Sequence, residues 1–130
     1  MTLARLSTVE ATAVPATPVD GAPGVTIRWL VGPEQGAPHF AMRLFEMQPG
    51  AEIPLHHHWY EQEMYMLAGR GRCRTSENER ELSEGDAVWV APEQEHGFSN
   101  PGPEVVRFIC CVPLAKAPAK ESTKQGTASS

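Results

Sequence analysis

Residues 50–69 read GAEIPLHHHWYEQEMYMLAG, and the three consecutive histidines in this stretch decide how the chain is interpreted. Side chains of an extended strand point alternately to its two faces. His56 and His58 therefore project from one face, whereas His57 projects from the other. Two imidazoles on one face, followed within a few residues by an amide or a carboxylate, are typical of a transition-metal site.

The rest of the chain predicts an all-β protein. Its 130 residues are enough for one domain with a real core. Twelve prolines and eleven glycines divide the sequence into short segments, which suits strands and turns better than helices. Strand-like runs separated by turn residues indicate a sandwich or a barrel. The runs lie at residues 24–32, 38–50, 63–73, 81–92 and 104–114.

Charge and hydropathy exclude several classes of partner. The formal net charge of −5 leaves no basic stripe, so we expect no binding to nucleic acid. No apolar run approaches the roughly 18 residues of a membrane span, and the first residues lack the apolar centre of a signal peptide. The cysteines at 73, 110 and 111 show no scaffold spacing, which fits a reducing compartment. We therefore expect a cytoplasmic protein with no membrane contact.

The two ends of the chain differ from its middle. Residues 1–24 are rich in Ala, Thr, Val and Pro, and they form an edge strand, lie loosely over the surface, or bridge to a second subunit. Residues 115–130 contain no large apolar side chain, so we predict a disordered tail there. The folded domain is expected at residues 25–114.

The histidine stretch resembles the first sequence motif of the cupin family. That motif runs Gly, five residues, His-x-His, three or four residues, Glu, six residues, Gly. Here Gly50 precedes His56 and His58 at the motif spacing, and Gly69 closes the pattern. Gln62 stands where the motif has its glutamate.

A second stretch, GDAVWVAPEQEHGFSN at residues 85–100, resembles the second cupin motif. That motif runs Gly, five residues, Pro-x-Gly, two residues, His, three residues, Asn. His96 and Asn100 occupy the motif histidine and asparagine, and Ala91 and Glu93 replace the motif proline and glycine.

The resemblance covers roughly residues 25–114 and implies a double-stranded β-helix, or jelly-roll, barrel with a metal inside. It implies a metal shell formed by His56, His58, Gln62 and His96. Ligands of this neutral N/O type accept iron(II), manganese, nickel, copper or zinc, so one divalent transition metal ion is expected without a choice among them. The resemblance also implies a homodimer.

The third ligand has one alternative. Counting along the motif selects Gln62, and alternation then turns Met64 and Met66 inward while Glu63 and Tyr65 point outward. A slip of one residue reverses every side chain of the strand and brings Glu63, and with it Tyr65, inside. That slip supplies the carboxylate that iron sites usually prefer.

Other side chains are candidates for contact with a substrate. We expect Met64, Met66 and Phe98 to line the pocket because they share a face with the proposed ligands. Trp59 and Tyr60 are interpreted as a hairpin tip at the barrel mouth. Three arginines within strands are available to steer an anion, and alternation does not decide which way Arg43 points because both faces of its strand mix apolar and polar groups. The arginines are at positions 28, 43 and 107.

The resemblance implies a metal-dependent enzyme acting on a small, anionic, chelating organic substrate, and it favours dioxygenase-type cleavage, an oxidoreductase reaction. Two alternatives remain open: a non-redox lyase or isomerase of a sugar acid, and a cupin that binds a small molecule without turning it over. No catalytic acid or base is assigned, because the inward positions of the motifs look apolar.

Overall fold

The structure, a computed structural model, describes residues 13–114. The first half of the N-terminal arm and the predicted tail at 115–130 lie outside the described residues. Among the residues that it does describe, no helix is long and apolar enough to cross a membrane.

Residues 13–114 form ten strands. In chain order they are β1 (Thr17–Pro18), β2 (Val25–Val31), β3 (Phe40–Met47), β4 (Glu52–His56), β5 (Gln62–Ala68), β6 (Gly71–Arg74), β7 (Glu79–Leu82), β8 (Ala87–Val90), β9 (His96–Ser99) and β10 (Val106–Pro113). A short 3-10 turn at Pro33–Gln35 connects β2 to β3.

The strands form two antiparallel sheets. The six-stranded sheet has the order β1-β2-β3-β10-β5-β8, and the four-stranded sheet has the order β4-β9-β6-β7. Consecutive strands such as β3 and β4, or β4 and β5, lie in different sheets, so the chain passes back and forth between the two layers of a jelly-roll barrel. The predicted all-β barrel is confirmed, and β1 supplies a two-residue edge strand from the N-terminal arm.

The core fills the space between the sheets with side chains from alternate positions. In β10 the buried residues are Val106, Phe108, Cys110 and Val112. Phe108 stacks on Phe45 of β3 at 4.9 Å between ring centroids. Cys110 is buried and its neighbour Cys111 is only partly covered, as strand alternation predicts.

The motif asparagine joins two turns at the closed end of the barrel. Asn100 Nδ2 donates to the carbonyls of Met47 and Glu104 at 2.9 and 2.8 Å, and its Oδ1 accepts from the Gly102 amide at 3.1 Å. The Asn100 side chain is buried, so these bonds replace water that it cannot reach. Its role in this structure is to hold the turn after β9 against the end of β3.

The outer face of the six-stranded sheet carries paired charges. Glu46 on β3 lies between Arg28 of β2 and Arg107 of β10, with an N–O distance of 3.2 Å to each. The Arg28 guanidinium also donates to the Val14 carbonyl at 2.6 Å, which ties the N-terminal arm to this face. The homodimer implied by the resemblance stays a prediction, and sedimentation of the full chain would test it.

Candidate metal centre

Three histidines meet where the end of β4, an edge strand of the four-stranded sheet, lies beside the start of β9. β4 ends at His56 and β9 begins at His96, and these two residues are paired across the strands. Ring centroids lie 4.3 Å apart for His56 and His96, and 4.9 Å apart for His58 and His96. One nitrogen from each ring lies within 4.8 Å of the other two, so the three imidazoles form a compact cluster.

Backbone carbonyls set the tautomer of all three rings. The Nδ1 atoms of His56, His58 and His96 lie 2.9, 2.6 and 2.7 Å from carbonyl oxygens two residues away. A carbonyl oxygen only accepts, so each Nδ1 carries the hydrogen. Each neutral ring then keeps its lone pair on Nε2, which is the arrangement that metal-binding histidines use. The three accepting carbonyls belong to Pro54, Tyr60 and Gln94.

Gln62 is the fourth polar group of the cluster. It begins β5 with a side chain 1% exposed, and its amide Nε2 donates to Met64 Sδ at 3.4 Å. This contact turns Oε1 towards His58, whose Nε2 lies 3.0 Å away. An amide oxygen only accepts, so this contact is a hydrogen bond when His58 Nε2 carries a proton, and when Nε2 is deprotonated both atoms present lone pairs that a cation can share.

The register that places Gln62 inside is confirmed. Gln62, Met64 and Met66 are buried, whereas Glu63 and Tyr65 between them are exposed. Pairing of Gln62 with Val90 fixes β5 against β8, so the slip that brings Glu63 inside does not occur. The role of Gln62 as a metal ligand remains a prediction.

His57 faces away from the cluster. β4 ends at His56, yet the alternation continues, and the His57 ring is 54% exposed with Nδ1 3.1 Å from Glu93 Oε1. Glu93 stands at the glycine position of the second motif and adopts the left-handed conformation of a glycine, with φ of 65°. Its amide donates to the His58 carbonyl at 2.8 Å. The turn keeps its shape although the sequence departs from the motif.

The donor set fits a divalent transition metal. Three neutral imidazoles with accessible lone pairs and one amide oxygen form a borderline N/O set, which suits such ions better than calcium or magnesium. The buried polar and charged side chains among residues 13–114 are Arg43, His58, Gln62, His96 and Asn100, and none of them is a carboxylate. The cluster is therefore compatible with a metal ion that keeps its full double charge.

A cavity of about 280 Å³ opens beside His96. Its apolar wall includes Phe98 of β9 and Val88 and Val90 of β8. The other lining residues include Trp89 and Cys73 and the polar side chains of Arg74, Arg80 and Gln94. Phe98 thus lies where it was expected, next to the cluster and facing a space that a small molecule can enter.

The two methionines are placed differently from each other. Met64 contacts the Gln62 amide through its sulfur and so borders the cluster. Met66 borders a packed region that leaves no room for a water molecule, together with Gly71, Leu82 and Val106, and Met64 and Phe98 border the same region from their own positions. A substrate contact by Met66 stays a prediction, and its surroundings are those of a core residue.

Tyr60 is a site residue whose importance the sequence did not reveal. Its ring stacks on His58 at 3.8 Å and 7°, and its carbonyl accepts the His58 hydrogen. Burial raises the pKa of the Tyr60 phenol, and the Arg43 charge partly offsets that effect. The sequence signal that could have identified Tyr60 is its position two residues after His58. Each carbonyl that accepts from a histidine of the cluster belongs to the residue two positions away along the chain.

Comparison with known proteins agrees with this geometry. Residues 43–112, more than half of the chain, match the family described as Cupin_2: Cupin domain. An uncharacterized protein of Methanocaldococcus jannaschii is 30% identical over 63 residues, which are 48% of this chain and 50% of that protein. The matched segment thus spans half the length of this curated relative.

Two solved structures illustrate the fold. The polyketide cyclase RemF from Streptomyces resistomycificus is 27% identical with a TM-score of 0.80, covering 90% of this chain and 83% of that one. A predicted oxalate decarboxylase from Thermotoga maritima is 19% identical with a TM-score of 0.70, covering 81% of this chain and 96% of that one, and it shows the fold alone. With two sequence motifs, a jelly-roll barrel and a family match over most of that barrel, the chain belongs to the cupin family.

Proposed function

We propose that the chain is a metal-dependent enzyme that activates a small organic substrate bound as an anion through two oxygens. The single observation that carries this proposal is the donor set of His56, His58, His96 and Gln62, which is buried except for the partly covered His56 and contains no carboxylate. A divalent ion held there would supply Lewis-acid polarisation of a substrate oxygen. No nearby carboxylate offsets its charge, so an anionic ligand is favoured over a neutral one.

The chain's own residues hold this site dry and fixed. Carbonyl anchors orient the three rings, and the stacked Tyr60 ring covers one side of His58. Phe98, Val88 and Val90 give the cavity an apolar wall that excludes water from one side of a bound molecule. These residues bind and orient a substrate in a cavity that Arg74 and Arg80 also line.

The best-supported reaction class is ring closure through an enolate: the enolate carbon or oxygen attacks a further carbonyl carbon of the same chain, the C=O π bond breaks, its oxygen takes up the proton lost on enolisation, and water leaves when the ring dehydrates. A molecule with two carbonyl groups separated by one carbon loses a proton to give an anion that chelates through two oxygens. Polyketide chains contain such units, and RemF, described as a polyketide cyclase, is 27% identical over most of the chain. A neutral ligand set stabilises high oxidation states of iron poorly, which favours Lewis-acid chemistry over oxygen activation.

Oxygen-dependent cleavage of the same kind of substrate is the second candidate. The apolar wall formed by Phe98, Val88 and Val90 is a surface that apolar dioxygen can contact. A non-redox lyase or isomerase of a sugar acid, or a cupin that only binds its ligand, would share the metal but consume no oxygen.

Metal analysis followed by turnover tests the proposal. The full chain, purified without chelators and then loaded separately with iron(II), manganese, nickel, copper and zinc, is expected to hold one ion per chain. It is then incubated with 1,3-diketones, with flavonols and with unsaturated uronates, while oxygen uptake and product mass are followed. Conversion of a diketone without oxygen uptake supports Lewis-acid catalysis.

Other results would redirect the assignment. Oxygen uptake in step with product establishes the dioxygenase alternative, and turnover of uronates alone establishes the sugar-acid alternative. A chain that binds a metal and a diketone but converts nothing is a binding protein. Failure of the pure, folded chain to hold any of the five ions contradicts the proposal as a whole.

A further inference from the structure

The cavity beside His96 lies between the edge strands of the two sheets. β7 is the last strand of the four-stranded sheet, and β8 is the last strand of the six-stranded sheet. Residues from both strands line the cavity, with Arg80 on the β7 side and residues 88–90 on the β8 side. Arg80 is exposed, so a small molecule that enters this cavity and contacts His96 can also contact the Arg80 guanidinium.

The Arg80 side chain projects from the inner face of its sheet. Arg80 pairs with Cys73 of β6, and Cys73 pairs with Phe98 of β9. Residues directly opposite each other on neighbouring strands share a face, and Phe98 is buried in the core. Leu82, two residues after Arg80 in β7, is buried as well. Arg80 thus extends the inward row of Phe98 and Cys73 to the edge of the sheet.

Arg80 and the metal cluster are separated by a distance that a small molecule can span. The row from Arg80 to Phe98 crosses two strand spacings, and His96 lies two residues before Phe98. Spacings of roughly 4.8 Å between strands and roughly 3.4 Å per residue put the Cα atoms of Arg80 and His96 on the order of 12 Å apart. Both side chains extend into this interval, so a ligand with a single substituted ring fills the rest.

No ion pair among residues 13–114 includes Arg80. Its neighbours in β7, Glu79 and Glu81, project to the outer face, where their carboxylates lie 4.0 and 3.0 Å from the Arg72 guanidinium. Burial raises the pKa of the Cys73 thiol beside Arg80, and the Arg80 charge partly offsets that rise. The thiol is therefore neutral at physiological pH and leaves the charge of Arg80 available to a ligand.

Polar side chains of the cavity present hydrogen-bond donors. Gln94 Oε1 accepts from the Ala91 amide at 3.0 Å, which leaves the Gln94 Nε2 to donate. Thr75 Oγ1 accepts from the amides two and three residues further on, at 3.2 and 3.1 Å, which leaves its hydroxyl hydrogen to donate. Both residues line the cavity, and no carboxylate does. Such a lining favours a ligand that accepts hydrogen bonds and carries negative charge.

The second arginine of the cavity differs from Arg80. Arg74 Nη2 lies 2.9 Å from Glu52 Oε2, so a carboxylate of the protein already neutralises its charge. Arg80 therefore carries the unneutralised guanidinium of the cavity lining. A guanidinium recognises a carboxylate through two parallel hydrogen bonds.

We propose that Arg80 determines substrate specificity by binding a carboxylate at the end of the substrate farthest from the metal cluster. This inference rests on the proposed function and adds the substrate class. Such a substrate has a chelating oxygen pair at one end for the cluster of His56, His58 and His96, and a carboxylate at the other end for Arg80. The apolar wall of the cavity contacts the segment between these two groups.

A matched pair of probes tests the proposal. Salicylate chelates a metal through its carboxylate and its hydroxyl. Carboxysalicylate has a second carboxylate para to the hydroxyl, and carbamoylsalicylate has a neutral amide of the same shape at that position. Calorimetry of the zinc-loaded full chain is expected to show about tenfold tighter binding of carboxysalicylate than of carbamoylsalicylate.

Substitution of Arg80 should remove this preference. Arg80→Met keeps most of the side-chain length without the charge, and is expected to weaken carboxysalicylate binding about tenfold and carbamoylsalicylate binding less than about twofold. Arg80→Gln provides a second neutral variant with the same expected loss if Arg80→Met does not fold. Metal content is measured for every variant by mass spectrometry and should stay at the wild-type value.

A control variant separates contact from general charge. Arg72→Met removes an arginine from the outer face of the adjacent strand and should leave both affinities within about twofold of the wild type. A loss of carboxysalicylate affinity in Arg72→Met as large as that in Arg80→Met would overturn the proposal, because a distant charge would then have the same effect.

Two further results overturn the role of Arg80 while leaving the metal site intact. The first is equal binding of the two probes by the metal-loaded wild type. The second is unchanged carboxysalicylate affinity in a folded, metal-loaded Arg80→Met or Arg80→Gln variant. Absence of metal in the wild type contradicts the proposed function instead, so the two failures are distinguishable.

Discussion

The outer and inner faces of the six-stranded sheet differ in how their charged side chains are arranged. On the outer face Glu46 sits between Arg28 and Arg107, so positive and negative groups are paired in contact with solvent. On the inner face β3 carries Arg43 and β5 carries Gln62, with no buried carboxylate among residues 13–114. The net charge of the whole chain, −5, therefore does not describe the buried polar groups around the candidate site.

The difference shows where charge is structural and where it is functional. Half-exposed ion pairs such as those of Glu46 contribute about 0–1 kcal/mol each to folding. A buried cation costs free energy to dehydrate, so it persists in a protein mainly where it does something other than stabilise the fold. The inner face is therefore where substitutions should change binding most.

The largest difference, in metal affinity, is expected between substitutions of His57 and His58, which are adjacent in the chain and lie on opposite faces. His58→Ala removes an inner ligand and should lower metal affinity by more than about 100-fold, because even the groups that only support a ligand are worth 10- to 100-fold. His57→Ala removes an outer histidine and should leave metal content near that of the wild type. Metal analysis and circular dichroism of both variants check this, and equal metal loss in two folded variants would contradict the assignment of faces.

A smaller difference, in the free energy of unfolding, is expected between substitution of the buried Asn100 and substitution of the exposed Asn78. Asn100→Ala leaves the carbonyls of Met47 and Glu104 and the amide of Gly102 without their partner, and should reduce the free energy of unfolding by about 2 kcal/mol. Asn78→Ala, on an exposed turn, should change it by less than about 0.5 kcal/mol. Urea denaturation of both variants gives the two values, and similar losses would show that the buried network is not decisive.

Placing a carboxylate on the inner face should weaken anion binding. Gln62→Glu is expected to retain metal, because a carboxylate reaches as far as an amide, and to lower salicylate affinity about tenfold by reducing the charge of the centre. Gln48→Glu adds the same charge on the exposed surface and serves as the control. Calorimetry at equal pH and salt measures both, and unchanged or tighter salicylate binding by Gln62→Glu would show that charge is not what this position controls.

The smallest expected effect concerns the turn between β8 and β9, where the Glu93 side chain contacts His57. Glu93→Gly relieves a left-handed backbone, worth about 1 kcal/mol, and loses an exposed contact to His57 worth less than that. Glu93→Ala loses the contact and keeps the strained backbone. We therefore expect Glu93→Gly to be slightly more stable than the wild type and Glu93→Ala to be less stable, as thermal unfolding can measure. The reverse order would mean that the His57 contact dominates.

The resemblance to the family selected the jelly-roll barrel and the inward Gln62. Residue spacing alone was sufficient to predict the strands of a sandwich or barrel and the shared face of His56 and His58. These features follow from the two-residue repeat of a strand and from turns marked by glycine and proline, both of which are local. The cluster of His56, His58 and His96 joins residues forty positions apart, and only the resemblance to a family with two motifs connected them in advance.

Other features depend on packing between distant strands. Arg43 could not be oriented from its own strand, because its direction depends on Trp29 and Phe45, which form the surface it packs against. The stack of Tyr60 on His58 requires the chain to turn back over the ring, which spacing alone does not indicate. Met64 and Met66 share a face, yet only Met64 has a recorded contact with Gln62, and alternation does not distinguish the two positions.

The carbonyl anchors of the three histidines have a consequence for how a metal enters. Each ring is oriented by an oxygen of its own segment, two residues away, and not by the other rings. The cluster is therefore assembled before any ion arrives, and binding freezes little additional motion. Metal uptake should then proceed in a single fast step that leaves the amide exchange rates of β4 and β9 almost unchanged. One ion should also replace another without passing through an unfolded chain.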